Sequence, residues 1–251
     1  MSAADIPAIE AAIASLASHW QEDGRHMVSV PVQYPSGALS VVEVVFGREH
    51  VWVSDLGLGY SEAEMMSAES AYPRAAKAEA DRRGVSFDGR SVFALELPLS
   101  ALSGGIAAIA NASVRAASEA IRSEAARRHE EKSELIFDRV RLAFPDAHVA
   151  KVAEITGERA AWEAHNVVSL RDGKIAIFEP VSAYAASISA KFLMFSDLKS
   201  RPEIRLNAVF DAVDSLDSKA RMIFDVANVI LTADGLENYR RAVSPPQLLT
   251  H

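Results

Sequence analysis

The sequence predicts an α+β fold: an N-terminal antiparallel β-meander with helices, a long connecting helix, and a C-terminal α/β lobe with a mixed sheet. Three observations carry that expectation. Three strand-like runs, Met27–Gln33, Leu39–Phe46 and His50–Ser54, are separated only by short turn-forming segments. A helical periodicity then runs from Pro98 to about Phe144. Beyond it come strand, strand, strand, helix, strand and helix, an order that suits a mixed sheet. The expected domains are a small α+β domain at residues 1–100, a long helix or helix pair at 101–145, and an α-β-β-β-α-β lobe at 146–251.

Taken in order, Ile9, Ile13 and Leu16 share a helical face, so a first helix is expected over about Ile6–His19. Tyr34-Pro35-Ser36-Gly37 and Gly47-Arg48-Glu49 are the hairpin connections of the meander. Short helices follow near Ser61–Ala68 and Pro73–Arg83. The second has proline in its first turn, where the missing N–H is not needed, and Gly84 at its end. Val85–Leu95, turning at Asp88-Gly89, reads as a small hairpin. In the long helical segment Ile106, Ile109, Val114, Ala117, Ile121 and Ala125 keep one face. Glu119–Arg122 and Glu124–Arg128 stand at pairing distance on the other. The charged run Arg127–Lys132 leads to a new apolar face at Leu135, Ile136, Val140 and Ala143, so the helix is either continuous or broken near His129. The rear lobe reads as strands His148–Ile155, Ala161–Leu170 and Lys174–Val181, with Asp172-Gly173 turning the last pair. Helix Ala183–Leu198, strand Glu203–Val213 and helix Ser218–Thr232 complete it, with Ser182 and Asp217 placed as helix caps.

Bulk properties exclude several chemistries. At 251 residues, with 49% hydrophobic and 24% charged residues, the chain has the composition of a folded globular protein. It has no cysteine, hence neither disulfides, thiolate metal ligands nor a thiol nucleophile. The stretch MSAADIPAIEAAI has no basic region and no sustained apolar run, and no membrane-length apolar segment exists elsewhere. A cytoplasmic location away from membranes is therefore expected. The net charge of −8 is uneven: residues 1–100 hold 7 Lys and Arg against 14 Asp and Glu, and the remainder 19 against 20. An acidic front half repels a phosphate backbone, so nucleic acid is left open only for the rear half.

His50-Val-Trp-Val-Ser-Asp-Leu-Gly-Leu-Gly-Tyr60 poses the sharpest question, because a strand followed by GxG and a helix are parts of a dinucleotide loop. That loop needs a third glycine and a βαβ unit. Here the third position is Glu62, and helix rather than a parallel strand follows. The expectation is a turn at Asp55, a capping box Ser61-x-x-Glu64, and Glu62 complementing the helix dipole. None of the seven histidines has metal-site spacing, although Glu163 and His165 share one strand face and form a candidate base or half a metal site.

Two resemblances follow from particular segments. The order of the rear lobe resembles the PD-(D/E)xK nuclease-like fold, in which acidic residues on adjoining strands hold a divalent cation beside a lysine. In Lys174–Val181 the glutamate position is Glu179, while Val181 stands where the lysine belongs and Pro180 lies between. The resemblance implies Glu163 (or Asp172) as second acid, and Mg²⁺ or Mn²⁺ as cofactor held by the carboxylates of Glu163 and Glu179. It implies Lys191 as a replacement for the lysine, whose role is to stabilise developing phosphate charge rather than to ligate the cation. The segments VSVPVQYPSGALSVVEVVF, VWVSDLG, AEADRRGVSFDG, GKIAIFEPVSA and FSDLKS together are similar to an uncharacterised two-domain family of bacteria, phages and mobile elements, which implies no catalytic residue.

The function expected first is a non-catalytic interaction or regulatory protein with protein partners and no cofactor, self-associating through the alanine-rich helix. The alternatives are a divergent nuclease using Glu179, Glu163 and Lys191, and a nucleic-acid binder using the basic set Lys191, Lys199, Arg201 and Arg205.

Overall fold

The computed structural model describes residues 12, 15–170, 172–182, 185–211 and 221–243. The chain forms two compact units, Met1–Ala126 and Arg127–His251. Among the described residues no helix is long and apolar enough to cross a membrane. The fold is α+β, as the sequence predicts.

The N-terminal unit contains strands β1 (Ser18–Glu22), β2 (Arg25–Gln33), β3 (Leu39–Phe46) and β4 (His50–Ser54), helices α1 (Leu58–Met65) and α2 (Tyr72–Arg83), and strands β5 (Ser86–Phe87) and β6 (Phe93–Pro98). Its antiparallel sheet has the order β1-β2-β3-β4-β6-β5. The alternation of the strands puts Val42, Val44, Val51, Val53 and Phe93 on one buried face. Helix α3 (Leu102–Ala143) is continuous through the charged run. Its first part brings Ile109, Ala110, Ala112, Ala116, Ala117 and Ala120 into that core. The alanines expected to serve self-association are therefore occupied within their own unit, where small side chains let the helix approach closely.

Three expectations for this unit are corrected. The first helix falls mostly outside the described residues, and Ser18 and His19 belong to β1. The cause is Asp23-Gly24, with φ values of 48° and 78°, a two-residue turn that joins β1 to β2 as a hairpin. Helix α1 begins at Leu58 rather than Ser61, so Ser61 and Glu64 cannot form a capping box. Glu62 instead is buried and accepts hydrogen bonds from the backbone N–H (2.8 Å) and hydroxyl (3.0 Å) of Ser36. Proline in the first turn and Gly84 as C-cap of α2 are as expected.

The SDLG turn is a structural knot. Gly57 takes the left-handed conformation (φ 76°) that starts α1. Its N–H and that of Phe93 donate to Asp55 Oδ1 at 3.1 and 2.9 Å. The Ser113 hydroxyl donates to Oδ2 at 2.6 Å and receives one from the Tyr34 hydroxyl at 2.7 Å. An N–H that a phosphate would use is thus held by the chain's own carboxylate. Burial raises the Asp55 pKa above its usual value, against the opposing hydrogen bonds.

The C-terminal unit uses the second part of α3 with β7 (His148–Thr156), β8 (Ala161–Ser169), β9 (Ile175–Pro180), α4 (Ala185–Leu198), β10 (Ile204–Phe210), α5 (Arg221–Phe224), β11 (Asn228–Leu231) and α6 (Leu236–Arg241). The sheet order is β11-β10-β9-β8-β7. The pairs from β7 to β9 are antiparallel, and β9-β10 and β10-β11 are parallel, giving the mixed sheet expected. Both faces are covered: Ile177 and Leu206 pack with Phe195 of α4, while Ala176 and Phe178 pack with Ile136 and Val140 of α3 and Tyr239 of α6. That is why β9 and β10 read as continuous apolar runs. The expected helix Ser218–Thr232 is corrected: its described part holds only the single turn α5, and Asn228–Leu231 is a strand parallel to β10. Asp217 lies outside the described residues. Ser182 donates its backbone N–H to the Ser187 hydroxyl (3.2 Å).

Candidate functional site

Alternation along β9 places Phe178 towards α3 and Glu179 towards α4. The β8–β9 ladder runs from Ser169↔Ile175 to Val167↔Ile177 and stops. It stops because Asn166 adopts φ 54°, rare for a residue with a side chain, and its amide nitrogen donates to the Phe178 carbonyl at 3.1 Å. Strand β8 turns away from β9 there, and the Glu179 side chain supplies the acceptors the ladder lacks. His165 donates its backbone N–H to Oε2 at 2.8 Å, and its ring Nδ1 lies 2.9 Å from Oε1. A carboxylate only accepts, so Nδ1–H is the donor to Oε1. The Lys191 ammonium, from α4, also contacts Oε1.

Glu179 is fully buried, whereas the His165 and Lys191 side chains are 15% and 18% exposed. Burial alone would raise the Glu179 pKa. The His165 hydrogen bonds and the Lys191 charge outweigh it and hold the carboxyl below its usual range, so it is an anion. His129, on α3, meets the His165 ring edge-to-face at 5.3 Å. Its pKa is depressed by burial and by Lys191 and His165, so its neutral form is favoured.

Of the sequence-designated residues, Glu179 and Lys191 are brought into contact. Glu163 is 75% exposed, its Oε1 3.9 Å from Nε2 of His165, the strand-face neighbour with which the sequence pairs it, and its strand position is opposite Glu154. Among the described residues no three His, Asp or Glu side chains are arranged to hold a metal ion. Asp172 lies in the turn and contacts Lys174.

Each member of the basic set has a partner within the chain. Lys191 is held by Glu179, and Lys199 reaches the Asp225 carbonyl at 2.6 Å. Arg201 takes Glu203 and the Thr156 carbonyl, and Arg205 takes the Pro202 carbonyl at 3.1 Å. Nearby, Lys132 of α3 donates to the Val181 carbonyl (2.8 Å) and pairs with Asp211 (3.0 Å), where β9 and β10 end. Its pKa is lowered by burial, partly offset by Asp211.

What fold and site define is a two-unit α+β protein whose C-terminal sheet carries a buried carboxylate–imidazole–ammonium cluster at the carboxyl end of β9. Compared with family models, curated proteins and solved structures, the chain matches none of them.

Proposed function

We propose that this protein works by binding, as a non-catalytic interaction or regulatory protein with protein partners, in the cytoplasmic phage, mobile-element or defence setting that its short family-like segments imply. One observation carries the reading. Both oxygens of Glu179, the best-placed acid for chemistry, are held by His165 and Lys191. Such a cluster fixes where α4 and β8 dock on β9. Its catalytic use would require breaking the His165 and Lys191 contacts first.

A second reading, a divergent metal-dependent nuclease, is favoured by the antiparallel β7-β8-β9 meander followed by α4 and a parallel β10, with Glu179 and Lys191 paired. One experiment separates the two. Purified protein is incubated with single- and double-stranded DNA and RNA in Mg²⁺ or Mn²⁺, beside Glu179→Ala and Lys191→Ala. Binding function predicts no cleavage by any form. Cleavage by the wild type that both substitutions abolish would establish the nuclease instead.

A further inference from the structure

Strand β1 is the outermost strand of the N-terminal sheet, and among the described residues it pairs with β2 alone. All five of its side chains are exposed, Trp20 included. Beyond the stacking of His19 on His26, it therefore buries little to offset the ordering of its backbone. The opposite edge strand, β5, is only two residues long. Long free edges are normally blunted by lysine, proline or a bulge. Ser18–Glu22 has neither residue, and its register with β2 is unbroken from Ser18↔Ser29 to Glu22↔Arg25.

The turn decides which backbone groups are free. A two-residue turn closes on a hydrogen-bonded pair, here Glu22 and Arg25, and such pairs alternate along the ladder. Trp20 and Ser18 then also bond towards β2. His19 and Gln21 point their N–H and C=O groups to the open edge.

We propose that this edge is the contact surface for a second copy of the chain, β1 pairing with β1 about a two-fold axis at Trp20. A two-fold axis perpendicular to a continuous antiparallel sheet keeps faces matched, so paired positions must sum to an even number. Centring on Trp20 uses the whole strand. His19 meets Gln21 of the other copy twice, each pair exchanging the outward N–H and C=O groups. Trp20 meets Trp20 at a non-hydrogen-bonded position, where side chains come closest. Ser18 meets Glu22, a hydroxyl donor against a carboxylate, and the two Glu22 carboxylates lie four positions apart, roughly 14 Å. The strand is thus complementary to itself in charge, hydrogen bonding and apolar contact. Centring on His19 or Gln21 instead opposes Trp20 to Ser18 or Glu22 and leaves strand residues unmatched. The inference concerns the N-terminal unit alone and stands whichever reading of Glu179 is right.

Sedimentation equilibrium over a concentration series tests it on the whole protein. The wild type is expected to dimerise weakly, because one strand pair is a small interface. Gln21→Pro removes an outward N–H that β2 does not use, and should raise the dissociation constant at least about tenfold with an unchanged melting curve. Trp20→Cys, in a chain without cysteine, should form an intermolecular disulfide on mild oxidation, since opposed positions fall within the roughly 4.4–6.8 Å Cα separation a disulfide needs. Ser18→Cys should not. A wild type that stays monomeric up to about 1 mM, a dimer indifferent to Gln21→Pro, or Ser18→Cys linking as readily as Trp20→Cys would each overturn the proposal.

Discussion

Replacing Gly59 by alanine tests whether the SDLG segment is a packing device. Gly59 lies in α1, and a Cβ built there would stand 2.5 Å from Ser113 Oγ, 2.6 Å from Tyr72 Oη and 2.9 Å from the Ser113 carbonyl oxygen. These fall 0.5 to 0.9 Å short of the 3.4 Å at which ordinary contact begins. One of the three is backbone and cannot rotate away. Overpacking of this kind costs about 1–3 kcal/mol. Moving Ser113 also strips Asp55 Oδ2 of its 2.6 Å donor, and a buried acceptor left short adds about 1–3 kcal/mol. Helix propensity works the other way, favouring alanine by about 1 kcal/mol. The net expectation is a loss of about 3 kcal/mol, or a melting temperature lower by roughly 10 °C, read by circular dichroism or calorimetry. Ser113→Ala removes the nearest clash, so Gly59→Ala should do less harm in that background, with a coupling of about 1 kcal/mol. A Gly59→Ala protein as stable as the wild type, or more stable as propensity alone requires, would refute the argument.

Other perturbations have equally definite outcomes. Glu179→Gln leaves Lys191 and His165 without their anion and should lower stability in urea by about 3 kcal/mol; no loss would show that the charge of Glu179 is not what holds the cluster. His129 has a depressed pKa, so the unfolded chain takes up its proton first: its contribution is intact above about pH 6.5 and lost as pH falls below it. Between about pH 7 and pH 5 the wild type should therefore lose more thermal stability than His129→Phe, and parallel curves would contradict this. Lys132 is likewise a depressed base, carrying a burial penalty at neutral pH, and Asp211 is mostly exposed. Lys132→Met should change stability by less than about 1.5 kcal/mol, which chemical denaturation can measure.

How much could be read in advance depends on how local the signal is. The meander β2-β3-β4, both glycine turns and the helical span of α3 follow from alternation, turn chemistry and periodicity, which leave open the helix's continuity past His129. Strand β1 was hidden because the Ile9, Ile13, Leu16 spacing extends a helical pattern towards it, whereas the deciding signal is Asp23-Gly24. Strand β11 was hidden for another reason: Asn-Val-Ile-Leu is a short apolar run that either state accepts, and only pairing with distant β10 selects the strand. The site was partly legible. Leu170 and Lys174 face each other across the Asp172-Gly173 turn, and counting five residues outward from each puts His165 opposite Glu179. That arithmetic names the partner of Glu179, although the left-handed Asn166 turns ladder pairing into side-chain capture. His129 gives no such signal, because its place depends on how α3 docks on the sheet.

The acids of this chain share a role that bears on function. Asp55 receives the N–H groups of Gly57 and Phe93, and Glu62 that of Ser36. Asp88 receives those of Arg90, Ser91 and Val92, Asp197 those of Arg159 and Ala160, and Asp234 that of Leu231. In each case a carboxylate stands at a turn or strand end and accepts backbone donors that would otherwise lack partners. Glu179 does the same for His165, but it alone among these also holds a lysine and an imidazole. An acid needed only as a backbone acceptor could be replaced by asparagine or glutamine at modest cost, since an amide oxygen accepts equally well. Glu179 cannot be, because its charge balances Lys191. The difference in stability between Asp88→Asn and Glu179→Gln therefore measures how far the cluster exceeds the structural role that the other acids fill. A small difference would place Glu179 with the rest and remove the best reason to seek chemistry at the end of β9.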